Sequence, residues 1–298
     1  MTTGTVEQSA AYYATSESNT KPTVTSKTPK VDVKNPKPAL IADQFVSFEL
    51  KSVHDVNHNT KTFRFALPEG TTELGLPTAS AVVTKFVKGT KPDGKPDVVI
   101  RPYTPLEDPA DGYTGYFDLL IKKYPNGPMS THIFSLKPGD KLDVKGPIPK
   151  WPYKANEFKK VGLIAGGTGI TPNLQVIQRI LSNPEDKTHI ALVFANIAEE
   201  DILLKSYFDD LQKKHSDRFN VYYVLEKPPK GWTQGVGYVS EQIVKEQLPK
   251  PGEGKVFICG PNQMLAAISG TKTPDYKQGE VGGILKKLGY TENDVYKF

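Results

Sequence analysis

A glycine-rich segment, AGGTGITP at residues 165–172, directly follows the apolar run at 161–165. Glycine lets a backbone approach a ligand closely, and a helix N-terminus offers free N–H groups and a positive dipole end to a phosphate. Pro172 stands where a helix begins, a position that favours proline. The spacing differs from the dinucleotide pattern G-x-G-x-x-G, so an ordinary dehydrogenase is not indicated. The segment predicts a nucleotide-phosphate site, with a ligand-free strand-to-helix turn as the alternative.

A second segment, CGPNQM at residues 259–264, follows the apolar run at 256–258. A lone cysteine after an apolar strand is most often a small buried hydrophobe. Here Gly260 and Pro261 place Cys259 at the mouth of a sheet, on the edge that also carries the glycine-rich segment. This placement favours contact with a bound cofactor.

A third segment, RPYTP at residues 101–105, combines a fixed cation, an aromatic ring and a hydroxyl between prolines. An arginine can bind a diphosphate through two parallel hydrogen bonds, and a tyrosine can stack on a flat ring system. The alternative is a proline-stiffened strand end with an exposed arginine. The motif by itself leaves both interpretations open.

The composition excludes several classes of protein. The chain has one cysteine, which rules out an internal disulfide, and its five histidines lack ligand spacing, so we predict no metal site. The net charge is +5, and lysines concentrate between residues 141 and 160 against only Asp143 and Glu157. This lysine run is either a solvated surface or a steering surface for an acidic partner. We predict no nucleic-acid partner, because no aromatic-basic recognition module accompanies the lysines.

The N-terminal region, residues 1–38, is rich in Ser, Thr, Lys and Pro and is predicted to be a disordered leader or tether. It resembles neither an intact signal peptide nor a transit peptide. No stretch approaches the run of about 20 apolar residues that a membrane helix requires, so we predict a soluble chain without a membrane-spanning segment.

The elements that position these motifs change character along the chain. Alternating apolar residues at 45–50, 62–67 and 116–121 predict short strands of a small antiparallel barrel, with a turn at 91–96. Ser130 is expected to cap a short helix at 130–136. Beyond a proline-rich linker at 146–152, strand and helix alternate, which predicts a parallel sheet.

In this second half we expect strands at 161–165, 190–194, 221–225 and 256–258. Helices are expected after the glycine-rich segment, at 202–211, at 240–247 and from Pro261 onwards. Ligands of such sheets bind outside the carboxyl ends of the strands, which is where the glycine-rich segment and Cys259 lie.

Taken together, the three motifs in this order resemble the ferredoxin reductase-like flavoprotein family, and within it the NADH-cytochrome b5 reductases. The resemblance spans residues 42–298, and the closing run at 278–298 is similar to the fungal mitochondrial branch. It implies a two-domain fold, with an antiparallel β-barrel FAD-binding domain at 39–148, a linker at 149–158 and an α/β parallel-sheet NADH-binding domain at 159–298.

The resemblance implies that Arg101 meets the FAD diphosphate and that Thr104 lies at the flavin N5, which accepts hydride. It makes Thr104 and Cys259 the catalytic pair, with Cys259 pressing the nicotinamide toward the flavin. The FAD-binding residues that it implies are Arg101, Pro102, Tyr103, Thr104, Leu120, Lys122, Tyr124, Gly127, Met129, Ser130 and Thr171.

For NADH, the resemblance implies that the glycine-rich segment holds the diphosphate. Glu226 is expected to bind the adenosine ribose and to select NADH over NADPH, with an exposed loop glutamate as the alternative. The NADH-binding residues that it implies are Gly166, Gly167, Thr168, Gly169, Pro172, Glu226, Cys259, Gly260, Pro261 and Met264.

The implied activity is hydride transfer from NADH to FAD, followed by release of single electrons to cytochrome b5 or a similar acidic heme protein. One alternative is the reductase module of another system, such as nitrate reductase, and another is a nucleotide-binding interaction protein without turnover. The resemblance also implies membrane association at the mitochondrial outer membrane or in the intermembrane space, with the endoplasmic reticulum membrane as the alternative.

Overall fold

The computed structural model describes residues 37–106 and 115–298, so most of the predicted leader lies outside the described residues. The chain divides into two compact units, the first ending at Pro149 and the second covering Lys150–Phe298. At the start of the first unit, Ala39 N donates to Glu73 O and Leu40 N donates to Leu74 O. Across the described ranges, no helix has both the length and the apolar character needed to span a membrane.

In its described residues, the first unit is an antiparallel sheet with one helix. Its elements are β1 (Val46–Asn57), β2 (Thr60–Ala66), β3 (Ser80–Thr90), β4 (Pro96–Tyr103), β5 (Tyr116–Lys122), α1 (Pro128–Ser135) and β6 (Lys141–Pro149). The strand order is β4-β3-β6-β1-β2-β5. A hydrophobic core that includes Phe48, Phe65 and Phe117 packs against this sheet.

The predicted antiparallel character of the first unit is confirmed, and β1, β2 and β5 overlap the three predicted strands. The sequence prediction did not identify β3, β4 or β6. Their patterns are less regular, because the far ends of β3 and β4 are exposed on both faces and β6 ends in a proline-containing run.

The predicted boundaries of the first helix were wrong. The helix begins at Pro128 with Gly127 as its N-cap and ends at Ser135, rather than running from a Ser130 cap to residue 136. The N–H of the first helical residue has no partner inside the helix, so a proline there loses no hydrogen bond. The helix can therefore start at Pro128, two residues before the predicted start. Ser130 lies inside the first turn, where its Oγ donates to Gly127 O at 3.0 Å.

The second unit is an α/β unit, as predicted. Its elements are β7 (Lys160–Gly166), α2 (Ile170–Ser182), β8 (His189–Asn196), α3 (Lys205–Lys214), β9 (Phe219–Leu225), β10 (Gly235–Val236), α4 (Glu241–Gln247), β11 (Lys255–Cys259), α5 (Asn262–Ile268), α6 (Gly283–Lys287) and β12 (Val295–Lys297). The strands form one parallel sheet in the order β10-β9-β8-β7-β11-β12.

The prediction of a helix at 202–211 was wrong at its start. A short 3-10 helix occupies Glu199–Asp201, and Leu204 adopts a left-handed conformation with φ 58°, so α3 begins only at Lys205. Such a conformation is unfavourable for a residue with a Cβ. It prevents the helix from extending to Ile202, where the apolar periodicity of the sequence had predicted its start. The helix expected at 240–247 is present as α4, and the Ser240 hydroxyl caps it by accepting from Ile243 N.

Lys297 in β12 holds the preceding loop in place. Its side chain is buried, and its Nζ donates to the carbonyl oxygens of Gln278 and Glu280 at 2.7 Å each. Longer contacts reach the carbonyls of Thr271 and Gly279 at 3.3 and 3.4 Å. One ammonium therefore connects several carbonyls of the loop that precedes β12.

Candidate functional site

The segment RPYTP lies at the end of β4, which is the first strand in the order of its sheet. Pro102 fits there, because a residue without an N–H is tolerated in a strand that has a neighbour on one side only. Thr84 Oγ1 on β3 donates to Arg101 O at 3.0 Å and fixes the backbone at this point. The guanidinium of Arg101 is exposed, and its Nη1 donates to Ile100 O at 2.7 Å.

Tyr103 is half-buried and packs against the core of the first unit. Burial raises the pKa of Tyr103 to about 12, an effect that the nearby Arg101 opposes and Tyr124 reinforces. The phenol therefore stays protonated and can donate a hydrogen bond at neutral pH. Tyr103 is therefore within electrostatic range of both Arg101 and Tyr124.

A compact turn links β5 to α1 and contains the second group of predicted FAD residues. Gly127 N donates to Tyr124 O at 3.0 Å, and Tyr124 N donates to Ser130 Oγ at 3.2 Å. A Cβ on Gly127 would lie 2.5 Å from Ser130 Oγ, so this turn requires glycine. Leu120 is buried, Lys122 is half-buried and Tyr124 is largely exposed.

The N-terminus of α1 has the properties of an anion site. Within the described residues no side chain caps this helix, and its first turn contains no acidic residue. Pro128 cannot donate, but the backbone N–H groups of Met129 and Ser130 belong to the first turn, where helical N–H groups lack partners inside the helix. A diphosphate is a chemically suitable acceptor for such donors.

In the second unit, the glycine-rich segment packs directly on the Cys259 segment. Ala165 on β7 and Cys259 on β11 are paired in register, so both segments leave the sheet at the same edge. A Cβ on Gly169 would lie 2.2 Å from Cys259 O and 2.9 Å from Gly260 N. The two motifs predicted from the sequence therefore form one structural site.

Met264 fills the space between the same two segments. A Cβ on Gly166 would lie 2.5 Å from Met264 Sδ and 3.0 Å from Pro261 Cδ, and one on Gly260 would lie 2.8 Å from Met264 Sδ. Substitution of either glycine would push on a flexible thioether, whereas substitution of Gly169 would push on backbone. Gly169 is therefore the most restricted of these positions.

The turn into α2 leaves its backbone donors available. Gly167 has φ +51°, a left-handed conformation that glycine adopts readily, and a 3-10 turn at Gly167–Gly169 leads into the helix. No side chain among the described residues caps α2, and Thr171 Oγ1 donates to Thr168 O at 3.2 Å. Pro172 lies in the first turn of α2, as predicted. This arrangement suits a phosphate-containing ligand.

Cys259 is partly exposed, but its thiol sits in an apolar environment. Burial raises the pKa of Cys259 to about 11, and the positive charge of Lys272 opposes this shift only in part. The side chain is therefore a neutral thiol at physiological pH rather than a thiolate nucleophile. Its chemistry suits packing against a ligand.

Glu226 follows β9 and is exposed at the same edge of the sheet. Its backbone N donates to Asn196 O at 3.1 Å, and Lys227 N donates to Ile197 O at 2.7 Å. The loop after β8 thus lies beside Glu226.

Asn196, the last residue of β8, was missed by the sequence reasoning. It is buried, and neither polar atom of its side chain has a hydrogen-bond partner in the part of the chain that the structure describes. A buried amide in that state is unusual. A single asparagine carries no sequence pattern, so only the structure could identify it.

Among the described residues, no group of three or more His, Cys, Asp or Glu side chains could hold a metal ion.

Comparison with known protein families matches both units. The family "Oxidoreductase FAD-binding domain" matches residues 47–153, and the family "Oxidoreductase NAD-binding domain" matches residues 163–270.

Individual proteins are similar over most of the chain. An NADH-cytochrome b5 reductase 2 from Botryotinia fuckeliana is 53% identical over 256 residues, which cover 85% of this chain and 72% of that protein. An NADH-cytochrome b5 reductase-like protein from Arabidopsis thaliana is 50% identical over 264 residues, which cover 88% and 79%. The cytochrome b5 reductase domain of Ulva prolifera nitrate reductase has a TM-score of 0.74 at 32% identity, covering 88% of this chain and 99% of that structure.

Proposed function

Because this chain belongs to the NADH-cytochrome b5 reductase family, we propose that it transfers a hydride from NADH to FAD and then passes single electrons to cytochrome b5 or a similar heme protein. It is an oxidoreductase that uses FAD and NADH. When bound, FAD supplies the chemistry that converts a two-electron donor into a one-electron donor. The protein itself supplies binding, alignment and exclusion of water.

In the first unit, the proposed FAD site combines β4, β5 and the N-terminus of α1. Arg101 and the first-turn N–H groups of α1 bind the diphosphate, while the protonated Tyr103 hydroxyl and Thr104 hydrogen-bond the flavin and ribitol. Leu120, Lys122, Tyr124 and the turn through Gly127, Met129 and Ser130 complete the site. The uncapped helix end and the glycine-dependent turn support this proposal.

The observation that carries the NADH assignment is the close packing of Gly169 on Cys259 and Gly260. It supports a site in which the turn of residues 166–172, proposed to bind phosphate, lies against the backbone of Cys259 and Gly260. The diphosphate then binds at the start of α2, and Cys259, Pro261 and Met264 form an apolar wall against the nicotinamide. Misplacing reacting groups by about 1 Å can cost on the order of a hundredfold in rate, so this rigid contact serves alignment.

For the adenosine end, we propose that Glu226 accepts hydrogen bonds from the ribose hydroxyls and repels a 2′-phosphate. Its exposure, and its position one residue beyond β9, support the assignment. We therefore expect NADH to be preferred over NADPH.

The proposed acceptor is an acidic heme protein, and the lysine run between residues 141 and 160 gives a positive surface for it. A second candidate is a reductase partner for a nitrate reductase-type system, which the similarity to the Ulva prolifera domain favours. By family resemblance, the proposed location is the mitochondrial outer membrane or intermembrane space.

The decisive experiment is anaerobic addition of NADH to the purified protein, followed by cytochrome b5. We expect a yellow protein that NADH bleaches within the mixing time and that then reduces cytochrome b5. A colourless protein that binds NADH without turnover would instead identify a nucleotide-binding interaction protein. Bleaching without transfer to cytochrome b5 would retain the flavoenzyme and reject the acceptor.

A further inference from the structure

Three exposed aliphatic side chains form a strip on β3 and β4. Val87 and Val98 are direct cross-strand partners, and Ile100 follows Val98 by two residues, so all three point to one side of the sheet. Their exposed fractions are 57%, 42% and 46%. Val99 between them belongs to the core, so the strip lies on the outer face.

Two fixed lysines border this strip. Lys85 pairs with Ile100 in register, and the Nζ atoms of Lys85 and Lys145 lie 4.4 and 5.1 Å from the centre of the Phe45 ring. Asp143 binds Lys85 at 3.1 Å, whereas Lys145 makes no salt bridge with any residue that the structure describes. The strip together with Lys85 and Lys145 is called the β3–β4 patch below.

The β3–β4 patch lies behind the residues proposed to bind FAD. Along β4, Ile100 and Pro102 alternate with Arg101 and Tyr103, and successive side chains of a strand point to opposite faces. Tyr103 packs against the core, whereas Ile100 faces solvent. A protein seated on the patch is therefore separated from the flavin-contacting side of β4 by a single strand.

We propose that the β3–β4 patch is the docking surface for the acidic heme protein that accepts electrons, an inference that rests on the proposed function. An aliphatic centre with a charged rim is the usual composition of a protein interface, and small patches suit the transient contacts of electron transfer. Lys145 has no acidic partner among the residues that the structure describes, so its charge is available to complement an acidic surface.

The side chains of the patch favour a protein over a lipid surface. Interfacial membrane segments insert tryptophan, phenylalanine or leucine, whereas this strip contains only two valines and an isoleucine. The Phe45 ring beside the patch contacts the ammonium groups of Lys85 and Lys145. Asp143 on the same face would also oppose an anionic bilayer.

The test is the double variant Val98→Thr and Ile100→Thr in the full-length holoenzyme. Threonine keeps the β-branched shape, so the strand is retained, while the apolar contact is weakened. We expect the KM for cytochrome b5 to rise roughly tenfold. The NADH–ferricyanide rate should stay unchanged, because this small acceptor needs no docking surface, and it also reports a correctly folded flavoprotein.

Tyr238→Thr is the matched control, since Tyr238 is a large side chain that is 75% exposed and lies in the second unit. It should leave the KM for cytochrome b5 unchanged. Lys145→Gln should raise that KM at low ionic strength and lose its effect at high salt.

An unchanged cytochrome b5 KM in the double variant would overturn the docking proposal while leaving the proposed function intact. Failure of the unaltered protein to reduce cytochrome b5 would instead reject the acceptor itself. Sedimentation with phosphatidylserine vesicles is a further test. The double variant and the unaltered protein should bind the vesicles to the same extent. Loss of vesicle binding with an unchanged KM would identify a membrane surface and contradict the proposal.

Discussion

Gly169 is the point where the phosphate-binding turn meets the backbone of the Cys259 segment. A Cβ at this position would lie 2.2 Å from Cys259 O, and only movement of the backbone could relieve that clash. The position thus couples the diphosphate end of the proposed NADH site to the nicotinamide end.

We expect Gly169→Ala to lower the free energy of unfolding by about 3 kcal/mol, the upper range for overpacking, and to weaken NAD⁺ binding by roughly tenfold or more. Calorimetric unfolding and NAD⁺ titration measure the two effects. Gly89→Ala is the control, because a Cβ on Gly89 meets nothing within 4 Å. Equal NAD⁺ affinity in both variants would contradict the role of Gly169.

Cys259 allows a pH test with a single reporter, because it is the only cysteine of the chain. Burial raises its pKa to about 11, so the thiolate fraction of the folded protein keeps increasing up to that pH. We expect the rate of alkylation by iodoacetamide to rise about tenfold per pH unit between pH 8 and 10. The denatured protein should level off near pH 9, and the same plateau in the folded protein would refute the buried-thiol environment.

At the adenosine end, Glu226→Arg should lower the ratio of kcat/KM for NADH to that for NADPH at least roughly tenfold, because a cation attracts the 2′-phosphate that the carboxylate repels. Steady-state kinetics with both nucleotides measure the ratio. Glu246→Arg, the same charge change at an exposed residue of α4, should leave it unaltered. Unchanged selectivity in Glu226→Arg would leave Glu226 as an ordinary exposed loop residue.

At the level of elements, the pairing of β2 with β5 depends on a buried ion pair. Arg64 donates to both carboxylate oxygens of Asp118 at 2.9 and 2.7 Å, and its guanidinium lies 3.7 Å from the centre of the Tyr116 ring. Asp118 is almost fully buried, and Leu106 N donates to its backbone oxygen. This pair therefore anchors β5 and the chain that follows Thr104, on both of which the proposed FAD site depends.

Asp118→Ala leaves a partly buried guanidinium without its partner, and we expect it to lower the free energy of unfolding by about 3 kcal/mol. Bound FAD should also be lost more readily on dilution, as followed by flavin fluorescence. Asp55→Ala removes the exposed partner of Lys61 in the neighbouring hairpin and should cost less than about 1 kcal/mol. Similar stability losses in the two variants would show that Asp118 has no special anchoring role.

Across the whole molecule, elements with a regular local sequence pattern could be predicted, whereas features that depend on tertiary contacts could not. The apolar run before Gly166 and the periodic helix after it identified β7 and α2, because local sequence determines both. The left-handed Leu204 and the three-residue β12 carry no local signal. β12 exists because its neighbour β11 pairs with it, and Asn196 is notable only because its surroundings leave its amide unpaired.

The bonds of Lys297 have a consequence for the order of events during synthesis. The carbonyls of Gln278 and Glu280 accept these hydrogen bonds from Lys297, which is translated after them. Lys297 lies on β12, the strand of its sheet that is synthesised last. Domains generally fold as units while the chain emerges from the ribosome, N-terminal part first. The first unit can therefore be folded on the ribosome while the second still lacks its edge strand, β12. Until residues 295–297 emerge, the unpaired edge of β11 is exposed and can pair with another chain.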